Sequence, residues 1–509
     1  MLLIYPQLGQ FDNILRDIPL SLIYAATHSV KNGYRVKILD CRLHPQDYFE
    51  KIDQELKHGC FLVGLSVMTG NPIRTSLKIS KYIKQKYDVP IVWGGPHPTI
   101  LPEQTLESKY IDFVIRDWGS EPMYKLISHL KDGAGDIDGI SGLGFKKDGR
   151  IVLNAPTQKF EIIDYKDIPY QLVDIDSDNY NRLHGNITSF PIYTSIGCPC
   201  KCSFCMSPVA YKKINGKKWV PFEVDSIIEH IGFLEQQYRF KRLQIYDDNS
   251  FVHQKRMQDF FNKYIDHGFH ERLTIDFRGA RIDQIDKMDD DFLELLVKAN
   301  VGFLEIGVES GSDNVLKLMK KGISLAQILR VSEKLSRYPS LKPHYNILCG
   351  IPGETYEDLI QTKRLMVHLA DENPECLLGA AADWKPLPGS EMTATAVEMY
   401  GLVLPDTLEG WADIDTTDAK KIKHPWYTKK TDNYIKLLQI SGQLLDSKLD
   451  LLESEMSKGR KIFIFQLAIK LAKLYRYILK LRLKYDYAGL LIEYHIRNIM
   501  IRIMSGLSK

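Results

Sequence analysis

The 509-residue sequence lacks any apolar run of about 18 uncharged residues, the length that a membrane-spanning helix requires. Residues 1–6 lack a basic segment, so we expect no secretory signal and a cytoplasmic chain. No Gly-x-Gly-x-x-Gly follows the first apolar run and no Gly-x4-Gly-Lys-Ser/Thr occurs, which argues against the usual dinucleotide and triphosphate loops. Hydrophobic residues at 44% and charged residues at 26% exclude a disordered chain and a small disulfide scaffold.

The net charge of the whole chain is only +3, so neither sign of charge is in large excess overall. The charges are nevertheless unevenly distributed. Residues 459–509 carry a net charge of +9, and the rest of the chain carries a net charge of −6. Cysteine is scarce, with eight residues, yet four of them lie within eight positions, at Cys198, Cys200, Cys202 and Cys205. In a reducing compartment such a group is typical of metal or cluster ligation rather than of disulfides.

The N-terminal part alternates short apolar runs with amphipathic segments, such as residues 73–87 and 121–130. This alternation predicts a doubly wound α/β domain over residues 1–140. Such a domain has a parallel sheet covered on both faces, and it binds ligands at the carboxyl ends of its strands. The predicted strands are Leu2–Tyr5, Arg35–Asp40, Phe61–Ser66, Pro90–Gly94 and Asp112–Ile115.

Three further regions follow along the chain. Residues 141–188 contain a predicted hairpin that turns at Asp148-Gly149, and then a polar linker. Residues 189–390 return to alternation, and six units predict a partial (β/α)6 barrel with its chemistry at the strand carboxyl ends. Residues 391–509 form a C-terminal region that is mostly helical from Tyr434 onward. The predicted barrel strands are Ile192–Ile196, Arg242–Tyr246, Leu273–Phe277, Phe303–Val308, His344–Leu348 and Leu377–Ala382.

The cysteine group contains Cys-x3-Cys-x2-Cys, formed by Cys198, Cys202 and Cys205, directly after the first predicted barrel strand. Three thiolates on a loop can hold a four-iron cluster and leave one iron open to another ligand. The alternative is a zinc site or an incidental group of thiols. A zinc knuckle usually adds a fourth Cys or His at short spacing, and Cys200 is poorly placed between the others.

This pattern, with Phe204 before its last cysteine, resembles the hallmark of the radical S-adenosylmethionine (SAM) superfamily. The resemblance implies a [4Fe–4S] cluster on Cys198, Cys202 and Cys205, whose open iron chelates the amino and carboxylate groups of SAM. It also implies that Phe204 belongs to the SAM site. Cys200 departs from the family pattern, and we interpret it as a non-ligand.

Four later motifs, each at the end of a predicted strand, agree with this resemblance. Each alone is also compatible with a solvated turn or a buried ion pair, but their order along the barrel favours the joint interpretation. The resemblance implies SAM contacts from Asp247, Asp248 and Asn249 to the methionine amino group, from Arg281 to its carboxylate, from Glu309 to the ribose, and from Gly350, Ile351 and Pro352 to the adenine.

Residues 66–71 and 91–99, which end the third and fourth predicted strands, resemble loops of the cobalamin-binding domain that precedes the barrel in class B radical SAM enzymes. Glycines there let a flat ligand approach the backbone. The Asp-x-His-x-x-Gly motif of many cobalamin domains is absent, and the nearest loop is residues 12–16, so the resemblance implies no protein histidine on cobalt. The alternative is a domain whose cobalamin site has degenerated. The implied contacts are Ser66, Met68, Thr69 and Gly70, with Met68 or Thr69 nearest the metal, and Gly94, Gly95, Pro96 and His97 in the turn that binds the cobalamin tail.

The stretch of residues 383–390 resembles the turn that follows the last barrel strand in this family. We therefore expect Trp384 and Pro388 to rim the substrate cavity. Trp426 is a further candidate for this rim, although the aromatic group of residues 424–427 is also compatible with simple packing.

The C-terminal region contains an amphipathic, basic segment at residues 467–484. Its apolar stripe consists of Leu467, Leu471, Leu474, Ile478 and Leu481, while Lys470, Lys473, Lys480 and Lys484 fall on another side. Because most amphipathic helices are structural, we expect the stripe to pack on the barrel and the lysines to face solvent. The alternative is peripheral contact with an anionic membrane surface. No nucleic-acid recognition module is visible, so we expect no nucleic-acid partner.

The resemblance implies an enzyme in which the reduced cluster cleaves SAM to a 5′-deoxyadenosyl radical and cobalamin carries a methyl group to an unactivated carbon. A small-molecule substrate, hydrophobic if the tail indicates its nature, and an electron donor of the flavodoxin or ferredoxin type complete this hypothesis. Two alternatives stay open. One is a cyclase or ring-rearranging enzyme with the same cofactors, similar to the anaerobic cyclase of chlorophyll biosynthesis. The other is a non-catalytic cobalamin sensor.

Overall fold

The computed structural model of the chain describes residues 1–9, 12, 17–156, 160, 162–175, 180, 182–183, 187–210, 218–414, 424–446 and 463–497. Its first sheet has the strand order β2-β1-β3-β4-β5-β6-β7, in which the first five strands are parallel and the last two antiparallel. The hairpin predicted at Asp148-Gly149 is present, and it extends this sheet instead of standing apart from it. The strands are β1 (Leu2–Tyr5), β2 (Lys37–Asp40), β3 (Val63–Ser66), β4 (Ile91–Gly94), β5 (Phe113–Ile115), β6 (Leu143–Lys147) and β7 (Arg150–Leu153).

Helices cover both faces of this sheet, as the nearly continuous apolar strands require. Leu3 and Val92 belong to one buried cluster, and Ile4 and Trp93, their chain neighbours, belong to the other. The two clusters show that successive side chains of a strand enter opposite layers. The helices are α1 (Leu20–Lys31), α2 (Tyr48–Lys57), α3 (Asn71–Lys86), α4 (Pro96–Ile100), α5 (Pro102–Glu107) and α6 (Ser120–Asp132).

The second sheet has the order β16-β15-β14-β13-β12-β9-β8, and its six strands from β9 to β16 are parallel, as a partial barrel requires. The first predicted barrel strand, Ile192–Ile196, is wrong in position, because β9 ends at Ile192 and a separate ribbon of β10 and β11 leads into the cysteine loop. The strands are β8 (Arg182–Leu183), β9 (Ile187–Ile192), β10 (Ser195–Gly197), β11 (Trp219–Pro221), β12 (Arg242–Ile245), β13 (Thr274–Arg281), β14 (Val301–Glu309), β15 (Lys342–Cys349), β16 (Leu377–Leu378) and β17 (Ala382–Asp383).

Helices return the chain between these strands and continue to its C-terminal region. Several begin at side chains that accept a bond from the helix backbone, such as Ser324 and Thr355, each in a capping box. No helix among the residues that the structure describes is long and apolar enough to cross a membrane. The helices are α7 (Ser207–Ala210), α8 (Val224–Gln237), α9 (Gln254–Asp266), α10 (Ile282–Ile285), α11 (Asp290–Lys298), α12 (Asp313–Leu318), α13 (Leu325–Ser336), α14 (Tyr356–Glu372), α15 (Glu391–Tyr400), α16 (Leu408–Ala412), α17 (Lys429–Leu444) and α18 (Phe463–Lys484).

The orientation expected for the basic segment is wrong. The predicted helix forms as α18, but its stripe residues Leu471, Leu474, Ile478 and Leu481 are all exposed. The helix buries Leu479 and Leu483 instead, on the side that faces the rest of the chain. The side chain of Leu467 lies outside the described residues. Apolar periodicity marks a face of a helix, but it does not determine which face docks.

Candidate active site

The cysteine loop follows β10 at the carboxyl end of the barrel strands. Each of the three predicted cluster ligands accepts an N–H donor from a different element. Asn249 Nδ2 lies 3.6 Å from Cys198 Sγ, Arg281 Nη1 lies 3.5 Å from Cys202 Sγ, and the Ser207 amide lies 3.4 Å from Cys205 Sγ. Hydrogen bonds to sulfur and a nearby cation both stabilise thiolates, so this loop fits an anionic iron–sulfur cluster.

Cys200 lies beside Cys198 rather than apart from the group. The Cys200 thiol donates to the Cys198 sulfur, and this hydrogen bond lowers the pKa of Cys198 while it raises that of Cys200. Cys198 is therefore the better thiolate of the two. Among the described residues, no three His, Cys, Asp or Glu side chains converge on a point that could hold one metal ion. Thiolates that hold a cluster bind separate iron atoms, so they need no such convergence.

The three polar residues after β12 have different environments. Asp247 is buried and accepts bonds from the Thr194 amide, the Thr194 hydroxyl and the Ser195 hydroxyl at 2.6–2.7 Å, so it ties β12 to β10. Burial raises the pKa of Asp247, although these hydrogen bonds oppose the shift. Asp248 is exposed and accepts from Ser207 Oγ over 2.8 Å.

Asn249 is the residue of this group that faces the sulfurs. Its side chain is fully buried, and its Oδ1 atom has no hydrogen-bond partner in the structure. A buried acceptor without a donor is costly, so a ligand ammonium beside the cysteines would satisfy it. An unpartnered acceptor at this position fits the ammonium of a bound SAM.

A chain of buried charges crosses the ends of the next two strands. Arg281, the last residue of β13, donates through Nη2 to the Lys321 carbonyl at 2.6 Å and through Nε to Asp283 at 2.8 Å. Lys321 Nζ lies 2.7 Å from Oε1 of Glu309, the last residue of β14. Burial opposes the charge of Lys321, but Glu309 and Cys202 outweigh it, and the pKa of Lys321 is raised.

Lys321 is a site residue that the sequence analysis missed. It lies in the turn after α12, within an ordinary Lys-Lys-Gly stretch that gives no signal of its role. Its ammonium also lies 5.6 Å from the centre of the Phe204 ring, which places Phe204 against the same chain of charges. The pairing depends on the meeting of the end of β14 and the turn after α12 in space, so only the structure shows it.

The turn after β15 is closed by residues of the C-terminal region. Gly350 adopts a φ of 79°, and its carbonyl accepts bonds from Trp426 Nε1 at 3.1 Å and Tyr427 Oη at 3.3 Å. The Gly350 amide donates to Glu354, whose pKa is raised to about 8 by burial. Ile351 and Pro352 are buried at this turn.

The predicted rim residues lie beside this turn in an aromatic group. Trp384 is 1% exposed and packs 5.8 Å from Trp426 and 5.6 Å from His424, measured between ring centres. Pro388 is buried nearby in sequence. Trp384, Pro388 and Trp426 do not line either of the two cavities described next. Trp426 bonds to the Gly350 carbonyl and Trp384 packs on Trp426, so these two belong to the aromatic group beside Gly350.

Two adjoining cavities lie at the carboxyl edge of the first sheet. One, of about 220 Å³, is lined by small residues of that edge, including Ser66, Gly94 and Gly95. The other, of about 440 Å³, lies between the first sheet and the barrel. The two share the side chains of Leu20, Ser21, Ser66 and Tyr193. The two cavities therefore adjoin at the carboxyl edge, where ligands of α/β folds bind.

The larger cavity has walls from both halves of the molecule. Met68 and Pro96 come from the first sheet, whereas Tyr193 and Tyr246 follow β9 and β12 of the barrel. The helix α4, which begins at Pro96, packs against α7, which follows Cys205. The cavity therefore lies beside the cysteine loop. The two tyrosines are walls that the sequence analysis missed, because nothing in their local sequence marks them.

Other predicted cobalamin contacts lie behind the cavity wall. His97 is fully buried, its Nδ1 lies 3.1 Å from Thr69 Oγ1, and its ring packs 6.1 Å from that of Trp411. Burial lowers the pKa of His97 to about 4. Gly70, with a φ of 103°, precedes α3. Thr69, Gly70 and His97 therefore shape the loops instead of lining either cavity.

The wall of the larger cavity also includes Asp12. Burial raises the pKa of this carboxyl to about 6. Asp12 accepts bonds from the amides of Leu8 and Gly9 at 2.8 and 3.0 Å. Residues 13–16, the rest of the loop that replaces the histidine motif, lie outside the described residues. Arg42 on this wall is paired with buried Asp40 at 2.7 Å.

Comparison with protein families agrees with both halves of this architecture. Residues 192–366 match the Radical SAM superfamily, and residues 9–127 match the B12 binding domain. The chain is 25% identical over 411 residues to an uncharacterized methyltransferase of Pyrococcus horikoshii, covering 80% of this chain and 83% of that protein. It is 26% identical over 310 residues to the anaerobic magnesium-protoporphyrin IX monomethyl ester cyclase of Synechocystis, covering 60% and 59% of the two chains.

Solved structures with the same fold include two cobalamin-dependent proteins. TsrM from Kitasatospora setae, a radical SAM methyltransferase with cobalamin and a [4Fe–4S] cluster bound, superposes with a TM-score of 0.67 at 16% identity, covering 95% of this chain and 99% of that one. OxsB, with aqua-cobalamin and SAM bound, superposes with a TM-score of 0.70 at 17% identity, covering 99% and 75%. These similarities show that the chain shares their fold.

Proposed function

The chain belongs to the cobalamin-dependent radical SAM enzymes, which use a [4Fe–4S] cluster, SAM and cobalamin, and we propose that it methylates an unactivated carbon of a small-molecule substrate. Together these groups supply one-electron chemistry, hydrogen abstraction and a methyl carrier. The observation that carries the proposal is the cavity between the first sheet and the barrel, which has Met68 on one wall and Tyr246 on the other. A corrin ring in this cavity would lie beside the cysteine loop, so that a substrate could be held between the two cofactors.

The residues of the chain itself bind and orient the cofactors. We propose that Cys198, Cys202 and Cys205 hold the cluster, with a hydrogen bond or cation at each sulfur. Asn249 would accept from the SAM ammonium, since its Oδ1 atom has no other partner in the structure. Arg281 supplies positive charge beside Cys202, where it favours the anionic cluster.

Glu309 would accept from the SAM ribose, with Lys321 fixing its position. A carboxylate that already has one charged partner keeps its second oxygen for another donor. The residues around Ser66, Gly94 and Gly95 would hold the cobalamin tail, because they line the smaller cavity. An electron donor of flavodoxin or ferredoxin type would complete the system, since cluster reduction needs an external electron.

The test is an anaerobic reaction of the reconstituted holoenzyme with SAM that carries a labelled methyl group. Extracts of a deletion strain would serve as the source of substrate. We expect release of 5′-deoxyadenosine and a product that gains one labelled methyl group. A holoenzyme with a full cluster that releases no 5′-deoxyadenosine would contradict the proposal, and Cys202→Ala provides the inactive control.

A second candidate function is oxidative cyclisation with the same cofactors. It is favoured by the similarity to the Synechocystis cyclase, which covers 60% of this chain. The same experiment separates the two, because a cyclase would release 5′-deoxyadenosine and give an unlabelled, dehydrogenated product. A labelled product would reject the cyclase.

A further inference from the structure

The exposed face of α18 carries a row of large apolar side chains. Leu471, Leu474, Ile478 and Leu481 are 51–63% exposed, and Tyr477 and Tyr485 on the same face are 73% and 72% exposed. Before residue 471, the other large exposed apolar residues are scattered singly, except for Val397, Met399 and Val403, which are close in sequence. A contiguous exposed patch of this kind indicates an interaction surface, whereas single exposed residues do not.

The rest of the fold holds this face outward. The opposite side of α18 buries Leu479 and Leu483, and the Leu483 carbonyl accepts from Lys363 Nζ at 3.0 Å. Just beyond the helix, Asp486 accepts from Tyr434 Oη at 2.6 Å and pairs with Lys363 at 2.8 Å. The helix cannot rotate its apolar face inward without breaking these contacts.

Basic residues border the apolar face along one side. At about 100° per residue, Lys470, Lys473, Lys480 and Lys484 fall within one stripe next to the leucines. Lys470, Lys480 and Lys484 are exposed, and Lys480 lies 3.6 Å from Asp371. An apolar face beside a basic stripe suits the boundary between the acyl chains and the anionic head groups of a bilayer.

We propose that α18 docks the protein on an anionic lipid bilayer, with Leu474, Ile478 and Leu481 in the acyl boundary and the lysines at the head groups. Charge favours this occupant over a second copy of the chain, because pairing two such faces would bring two segments of net charge +9 together. This proposal depends only on the exposed face of α18. A failure of the proposed methylation would therefore leave it unaffected.

The test is flotation of the full-length protein with vesicles of phosphatidylcholine, with and without phosphatidylserine. We expect the protein to float with the phosphatidylserine vesicles and to remain largely unbound with phosphatidylcholine alone. A triple variant, Leu474→Ser, Ile478→Ser and Leu481→Ser, should lose binding by about tenfold or more, because binding scales with the buried apolar area. The matched control is Met399→Ser with Val403→Ser, which changes exposed apolar residues of another surface and should float like the wild type.

A charge variant tests whether the lysines of α18 contribute to binding. Lys470→Gln with Lys484→Gln should weaken binding to phosphatidylserine vesicles by about fivefold for each lysine removed. Absence of flotation, or equal flotation of the wild type and the triple variant, would overturn the proposal. So would a wild-type dimer, seen by light scattering, that the triple variant dissociates while neither protein binds vesicles. Circular dichroism would confirm that each variant is folded.

Discussion

At the scale of single residues, the site depends on buried charges that neutralise one another. Lys321 and Glu309 are both at least 90% shielded from solvent, and their 2.7 Å contact lies beside the cysteine loop. Removing one member of such a pair leaves the other charge buried and unpaired, which costs far more than the pair contributes. The stability of the protein should therefore be sensitive to substitution of either Lys321 or Glu309.

Lys321→Met is expected to lower the melting temperature of the protein by roughly 5–10 °C, because it leaves the Glu309 carboxylate unpaired in a buried site. The measurement is thermal unfolding followed by circular dichroism. Lys317→Met, an exposed lysine on α12, is the matched control and should change the melting temperature by less than about 2 °C. Equal melting temperatures for the two variants would contradict the importance of the pair.

His97 gives the protein a specific sensitivity to acid. Its folded pKa of about 4 lies below the ordinary value of 6.5, so the unfolded chain takes up a proton first as the pH falls. The free energy of unfolding should therefore drop between pH 6.5 and pH 4, by about 2 kcal/mol at pH 5 from this residue.

His97→Gln should remove that contribution, so the loss of stability between pH 7 and pH 5 becomes smaller than in the wild type. Urea unfolding at the two pH values measures it. His58→Gln, at an exposed position, should keep the wild-type loss. If the His97 variant loses as much stability as the wild type, the burial account of this histidine is wrong.

Sequence motifs indicated which strand ends carry candidate site residues. They did not indicate the residues that folding brings to the site from other parts of the chain. Arg281 and Glu309 were predicted from short patterns at strand ends, and both lie at the last position of their strands. Lys321, Tyr193 and Tyr246 carry no such pattern. For Asp247, the sequence does not show that Thr194 and Ser195 already donate hydrogen bonds to its carboxylate.

At the scale of elements, the loops after β3 and β4 shape the predicted cobalamin site through close backbone contacts. Gly95 has a φ of 99°, and a Cβ atom there would lie 2.9 Å from both the amide nitrogen and the carbonyl oxygen of Val67. This position therefore excludes a side chain for two reasons, the backbone conformation and the space. The close approach sets the position of Met68 at the cavity wall.

Gly95→Ala is expected to lower stability by about 1–3 kcal/mol and to weaken cobalamin binding, because the Val67 loop must move. Absorbance titration with cobalamin and thermal unfolding measure the two effects. Gly139→Ala, where a Cβ atom would meet nothing within 4 Å, is the control and should behave like the wild type. Unchanged cobalamin affinity in the Gly95 variant would contradict this role of the turn.

Strands and helices with strong hydrophobic periodicity were predicted close to their observed bounds. The face by which they pack on the rest of the chain was not predicted. The first five strands of the first sheet lie within two residues of their predicted bounds. The helix α18 also forms where the pattern predicted it, but it turns the expected apolar stripe to solvent. The first barrel strand was misplaced because Thr194, between β9 and β10, bonds through its amide to Asp247 instead of to a neighbouring strand.

At the scale of the whole molecule, the two halves meet at the carboxyl edges of their sheets. The carboxyl ends of the first sheet and of the barrel face the same cavity, and α4 packs against α7 beside the cysteine loop. Ligands of α/β folds bind at such edges, so the meeting of the two edges would bring the two proposed cofactor sites together. The sequence predicted both folds, whereas the contacts that hold the two halves together, such as that of α4 with α7, depend on packing between distant segments.

Ser66→Phe is expected to weaken cobalamin binding by about tenfold or more, because Ser66 lines both cavities and a large ring would fill them. The iron content after reconstitution should stay at the wild-type level, since Ser66 is not among the contacts of the cysteine loop. Ser66→Ala, which adds no volume, is the control and should bind cobalamin nearly normally. Cobalamin affinity equal to that of the wild type would contradict the assignment of the cavities.

The proposed reaction requires a cluster on the cysteine loop that faces a corrin held between the first sheet and the barrel. An anaerobic crystal structure of the holoenzyme with cobalamin would show both groups. We expect iron ligated by Cys198, Cys202 and Cys205, and a corrin ring between Met68 on one side and Tyr193 and Tyr246 on the other. A corrin bound elsewhere, or a metal centre ligated through Cys200, would overturn the proposed site.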